Sequence, residues 1–219
     1  MKPNFALNLT HEAIGLLHRT ARGWLSIGEA ALDSADLTEA LGYLRASALG
    51  LAPQGITTKL VIPNSQILYT EVDAPAVDPD RRLAQVRAAL DGLTPYAVED
   101  LVFDVHGTGP RVQVAVVARE TLAEAEAFAV QHRMNPLSCV AIPPPGAFDA
   151  EPFFGPTEAA AGLLPPGETV ERDAAPVAIL TRDDAGSRGG AQRGAAADAP
   201  APKAPGSARA PSAAPRGKR

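Results

Sequence analysis

The chain has 219 residues, 46% of them hydrophobic but only 5% aromatic, and a formal net charge of −5. That length allows one domain with an appendage or two small domains, and the scarcity of aromatics means the core must be built from Leu and Val. A single cysteine, Cys139, excludes an internal disulfide and a cysteine-based metal cage, and it fits a reducing compartment.

The first residues, MKPNF, lack the apolar core of a signal peptide. No stretch reaches the roughly 18 uninterrupted apolar residues of a membrane span. A soluble, cytoplasmic α/β protein without a span in this chain is therefore expected. The first elements read as a β-meander: residues 5–10 (FALNLT) alternate apolar and polar, residues 13–18 (AIGLLH) follow, and 24–32 form a third strand after a turn at 19–23. Ser34 or Asp36 then caps a helix, with Asp36 and Glu39 at the spacing of a capping box. Leu37, Leu41, Leu44 and Ala48 give its apolar stripe, and Gly50 ends it.

Residues 56–62 read as a strand, 63–65 (PNS) as a turn and 66–72 as the next strand. Asp78-Pro79 is a strong helix start, an N-cap aspartate before proline at the first helical position. Leu83, Val86, Leu90 and Leu93 form that helix's stripe, and Thr94-Pro95 stops it. Strands at 101–106 and 111–118 are joined by Gly107-Thr108-Gly109-Pro110. Thr121 and Glu124 form another capping box, for a helix to about 133 with Leu122, Ala125, Phe128 and Ala129 inward. Residues 137–142 (LSCVAI) are the last strand, closed by 143–146 (PPPG).

The order from 66 to 142 is β-α-β-β-α-β, the ferredoxin-like split βαβ arrangement. The expected division is a β-rich subdomain over 4–65, a ferredoxin-like subdomain over 66–147, a Pro/Gly-rich flank over 148–184, and a basic Ala/Pro-rich tail over 185–219. The flank is too rich in Pro and Gly for a packed element, apart from a short strand at 176–180 (PVAIL). The tail cannot bury enough apolar surface to offset its ordering entropy and is expected to be disordered. Its seven basic residues against Asp198 give it a charge of +6, so with a total of −5 the preceding residues carry −11. Such a tail suits an anionic surface or an acidic protein. It lacks interleaved aromatics for base stacking, so a solvated linker is favoured over a nucleic-acid arm.

No pattern for catalysis stands out. His11, His18, His106 and His132 lie in different elements without metal-ligand spacing. Neither GxxxxGK[ST] nor GxGxxG occurs, and there is no GxSxG. Cys139 sits in a strand expected to be buried, which suits a packed thiol rather than a reactive one. Glu99, Asp100, Glu124 and Glu126 read as solvated loop and helix faces. No catalytic residue, cofactor or metal is therefore expected. Phe148, Phe153 and Phe154 are the conspicuous residues outside the core elements. They pack either on the domain's own sheet or onto a protein partner.

Three local patterns carry a resemblance: residues 58–72 (TKLVIPNSQILYTEV), residues 86–105 (VRAALDGLTPYAVEDLVFDV), and the strand, helix and strand over 112–140. Together with the meander they resemble the N-terminal part of the PilM/GspL family, the actin-like assembly proteins of type IV pilus and type II secretion machines. The match spans about 5–142. It implies a ribonuclease H/actin-like half with a ferredoxin-like (SHS2-type) insertion, and a scaffold contacting neighbouring assembly components at the periphery of an inner membrane. In ATP-binding members the first hairpin carries an aspartate that helps position the metal and a glycine that admits the nucleotide. Here Asn8 and Thr10 stand in the corresponding run, and the sequence turns to low complexity where the nucleotide-binding half would follow. The expectation is a non-enzymatic scaffold or adaptor. The alternatives are a nucleic-acid- or ribosome-associated protein acting through its tail, and a nucleotide-binding actin-like protein.

Overall fold

The computed structural model describes residues 1–180. In chain order these form β1 (Phe5–Leu9), β2 (Ala13–Thr20), β3 (Gly23–Ala31), α1 (Leu37–Leu51), β4 (Thr58–Val61), β5 (Ile67–Asp73), α2 (Pro79–Leu90), β6 (Leu101–His106), β7 (Arg111–Ala118), α3 (Arg119–Gln131), β8 (Pro136–Val140), β9 (Phe153–Pro156), α4 (Ala160–Leu163) and β10 (Ile179–Leu180). Residues 185–219, expected to be a disordered tail, lie outside the described residues. No described helix is long and apolar enough to cross a membrane.

The strands form two sheets. The larger is mixed, in the order β10-β3-β2-β1-β4-β8-β9, and the smaller is β5-β7-β6. The meander reads as expected: β1 pairs antiparallel with β2, and β2 with β3. β4 then pairs parallel with β1, after α1 has crossed one face of the sheet. Apolar residues alternate to both faces. Phe5, Leu7 and Leu60 pack with Leu41, Leu44 and Ala48 of α1, whereas Ala6, Val61, Trp24 and Val177 meet on the opposite face.

The smaller sheet carries α2 on one face, with Val86 and Leu90 fully buried against Val72, Val114 and Val116. Its N-terminus is built as the sequence suggests, with the Asp78 carboxylate accepting the Arg81 N–H. Its stripe is narrower than the spacing suggests, because Leu83 and Leu93 are exposed and the helix ends at Leu90, before Thr94-Pro95.

Several expectations need correction. The four-stranded ferredoxin-like sheet does not close. β8 leaves the small sheet and pairs parallel with β4 in the large one. The physical reason is that β8 is buried along its whole length, which suits the interior of a parallel arrangement rather than the edge of a small sheet. The capping boxes are also unused. Asp36 makes no side-chain cap bond, and α3 begins at Arg119, ahead of Thr121. Gly50 lies within α1, which runs on to Leu51. Finally, the described part of the flank, 148–180, forms packed elements besides the short strand expected at 176–180. β9 pairs antiparallel with β8, and β10 lies parallel to Trp24 and Leu25 of β3. Between them the chain forms a strap across the face opposite α1. At Gly23 the strap comes so close that a Cβ would sit 2.9 Å from the Ala178 carbonyl oxygen.

Candidate functional site

The first candidate is the β1–β2 turn, where Asn8 and Thr10 lie. Asn8, next to last in β1, lies on the same face as Ala6 and sits opposite Gly15, which in turn pairs with Glu29 of β3. A groove of about 430 Å³ runs over this row, lined by Asn8, Thr10, His11, Glu12, Gly15 and Glu29. On the other side of the turn a second groove of about 370 Å³ is bounded by Thr10, His11, Asn64, Ser65 and Ile142. The imidazole Nε2 of His11 and the Ser65 hydroxyl are 2.5 Å apart across its mouth.

Thr10 decides what this turn can bind. Its hydroxyl accepts the Ala13 N–H at 3.0 Å and the Glu12 N–H at 3.4 Å, and donates to the Ala13 carbonyl at 2.8 Å. A phosphate bound at such a turn would need those N–H groups. Glu12 and Glu29 add negative charge, and neither groove is lined by lysine or arginine. The residues present do not fit a nucleotide phosphate. Among the described residues no group of three His, Cys, Asp or Glu side chains is placed to hold a metal ion.

The second polar concentration is one the sequence did not suggest. Lys59 on β4 is 1% exposed, and so is Glu151, two residues before β9. The Lys59 ammonium donates to Glu151 Oε1 at 2.5 Å and to Asp173 Oδ2 at 2.8 Å. Arg19 on β2 holds Asp173 with two bonds of 2.9 and 2.7 Å and donates through Nε to the Pro3 carbonyl. Lys2 approaches Asp173 to 3.2 Å. The Trp24 ring lies beneath both cations, 4.3 Å from the Arg19 guanidinium carbon and 4.7 Å from Lys59 Nζ. A further link joins the strap to the small sheet. Arg172 donates to both oxygens of Asp104 on β6 and to the Glu151 carbonyl, and Asp104 accepts the Phe153 N–H at 2.9 Å.

The two carboxyls respond oppositely to this setting. Burial pushes the Glu151 carboxyl up, only partly countered by the charge and hydrogen bond of Lys59. Burial also works against ionised Asp173, but hydrogen bonds from Arg19 and Lys59 outweigh it and hold that carboxyl well below its ordinary range. The cluster's cations pair with its carboxylates, tying Asp173 to β2 and β4. This fixes the strap.

The three phenylalanines do not form an exposed motif. Phe148 and Phe154 are buried in the core shared with α1 and α3, and Phe148 packs on His106 with ring centroids 5.7 Å apart. Phe153 is half-buried against the opposite face of the large sheet. The histidines remain apart: His18 tilts over Phe5 and His132 over Phe128. Cys139 is buried, and its thiol is pushed up to about 12 by burial and by the Glu126 charge. Glu126 is not merely solvated, since it accepts the N–H groups of Glu158 and Ala159 in the strap.

No family model matches the chain, and no curated protein matches it. Among solved structures, the cytoplasmic domain of EpsL, an inner membrane component of the type II secretion system of Vibrio cholerae, is similar over 65% of this chain and 60% of its own, with 19% identity and a TM-score of 0.48. A PilM-PilN type IV pilus biogenesis complex is similar over 61% of this chain and 46% of its own, with 15% identity and a TM-score of 0.44. The neighbours are the PilM/GspL-type proteins that the sequence resembles. The chain thus spans less than two thirds of either PilM/GspL-type structure.

Why the ion cluster escaped the sequence reading is clear from its spacing. Glu151 and Asp173 lie 92 and 114 residues from Lys59, in a flank read as unpacked. The available signal was Lys59 itself, a lone charge inside the apolar run of β4, because a buried lysine requires a partner.

Proposed function

We propose that the chain is a non-catalytic scaffold or adaptor of the PilM/GspL type, holding a protein partner in an envelope-associated assembly at the periphery of an inner membrane. In this reading the segment 4–65, completed by β8 and the strap, is the base, and the small sheet with α2 within 66–147 is the part offered to a partner. The observation that carries it is the Thr10 turn. Where an actin-like ATPase would present free N–H groups to a phosphate, this chain occupies them with its own hydroxyl and surrounds them with carboxylates. The sequence resemblance supplies the assembly role.

Thermal unfolding with and without Mg-ATP tests the reading. A ligand that binds only the native state raises stability by RT ln(1 + [L]/Kd), about 2.7 kcal/mol at a hundredfold excess over Kd. No change in Tm at millimolar Mg-ATP is expected. A rise of several degrees that Thr10→Gly enlarges would make the nucleotide-binding alternative correct.

A further inference from the structure

We propose that the free edge of β5 is a docking site for an extended segment of a partner protein. The segment adds as a fourth strand to β5-β7-β6, with lysine or arginine beside Glu71 and Asp73 and an apolar side chain beside Leu68. This deepens the scaffold reading and rests on it for the existence of a partner.

The small sheet has two edges, and they differ. The β6 edge is obstructed, since Asp104 takes the Phe153 N–H and the Arg172 guanidinium and so brings the strap alongside. The β5 edge has no strand or backbone partner among the described residues. All seven residues of Ile67–Asp73 pair with β7 in uninterrupted register, and β5 pairs with no other described strand. Edge strands present a row of unpaired backbone donors and acceptors, and proteins usually blunt them with lysine, proline, bulges or short length. β5 has the sequence ILYTEVD, with no bulge, lysine or proline; its only blunting charges, Glu71 and Asp73, lie at its C-terminal end and would repel an acidic strand but admit a basic one.

Side-chain alternation then specifies the occupant. Leu68 and Val72 face α2, while Ile67 and Tyr69 face the main core. Glu71 and Asp73 continue the second face beyond the core, with side chains 56% and 84% exposed. Arg111 on β7 approaches them to 3.3 and 3.8 Å and offsets one of the two charges, leaving a net negative edge that suits a basic strand. Self-pairing of two β5 edges would gather four carboxylates into one short ladder, which disfavours a second copy. The chain's own 185–219 segment is dominated by Ala, Pro and Gly, residues depleted in strands. On the α2 face a groove of about 310 Å³ opens between Leu68, Val116 and Leu101 and the loop residues Thr94, Pro95 and Tyr96. Tyr96 is 46% exposed at its wall. Added-strand complexes draw affinity from backbone bonds and specificity from pockets for alternate side chains, and both are present here.

The test titrates the full chain with an acetylated, amidated heptapeptide of alternating Val and Lys, by calorimetry, and follows amide exchange over 67–73. Saturable binding that protects β5 amides is expected. The exposed double variant Glu71→Lys/Asp73→Lys, checked by its melting curve, should bind at least tenfold more weakly and should instead take the matching Val/Glu peptide. N-methylation on alternate peptide residues should abolish binding in one series and spare it in the other. The proposal is overturned by absent binding, by binding indifferent to charge reversal or to both N-methyl series, by a dimer that protects β5 without peptide, or by binding that appears only after residues 185–219 are removed. The Mg-ATP experiment reads the Thr10 turn and this one reads the β5 edge, so either can fail alone.

Discussion

Replacing Lys59 with methionine isolates the energetics of the buried cluster. Methionine keeps most of the aliphatic stem over Trp24 but removes the ammonium, so Glu151, 1% exposed, loses the one side chain that, among the described residues, bonds its carboxylate. Stranding one member of a buried pair costs about 3–5 kcal/mol. Glu151 can escape that penalty by taking up a proton. With an ordinary glutamate pKa of about 4.3 and about 1.36 kcal/mol per pH unit, protonation at about pH 7 costs about 3.7 kcal/mol. At about pH 5 the same step costs only about 1 kcal/mol. The sign follows: a carboxyl raised by folding makes the native state bind more protons, so stability falls as pH rises from the unfolded pKa toward the folded one. Urea unfolding should therefore show Lys59→Met destabilised by about 3–4 kcal/mol near neutrality, equivalent to a Tm loss of about 7–15 °C for a domain of this size, and by about 1 kcal/mol at about pH 5. Adding Glu151→Gln should restore most of the neutral-pH loss and flatten the pH dependence. Equal losses at both pH values, or a double variant no better than the single, would refute the account of Glu151 as a stranded charge.

Three further outcomes follow from the same geometry. Asp173 is held below its ordinary range by Arg19 and Lys59, so its contribution is fully present above the unfolded aspartate pKa of about 3.9 and is lost as pH falls toward the folded value; Asp173→Asn should lower neutral-pH stability and shallow the acid limb of the unfolding curve. Gly23→Ala places a Cβ at 2.9 Å from the Ala178 oxygen and at a φ of +147°, so it should cost about 1–3 kcal/mol and speed limited proteolysis within 141–180; an unchanged digest would show that β10 does not depend on that close approach. Cys139, with its thiol raised to about 12 in the core, should resist a thiol-disulfide reagent in the native protein and react in step with unfolding, faster in Lys59→Met; rapid native-state labelling would contradict its burial.

Signals that act within a few residues match the structure best. Asp78-Pro79 fixed the start of α2 because an N-cap carboxylate and a proline act within one turn. The alternation over residues 5–9 placed β1, although Ala6, expected on its polar face, is fully buried. The capping boxes failed because their spacing recurs by chance wherever polar residues precede an apolar stripe. Phe148, Phe153 and Phe154 were conspicuous in sequence, but their composition-poor surroundings hid the sheet that buries them.

The sequence by itself determined the element order from β1 to β8, the α2 cap and the Phe5–Leu7 face of the meander. These depend on neighbours a few residues apart. Only the tertiary structure decided that β8 belongs beside β4, that the flank returns as a strap, and that Lys59, Arg19, Glu151 and Asp173 meet beneath it. Strand partners and ion pairs separated by many tens of residues are chosen by which faces must be buried together, and that choice exists only once both sheets have formed.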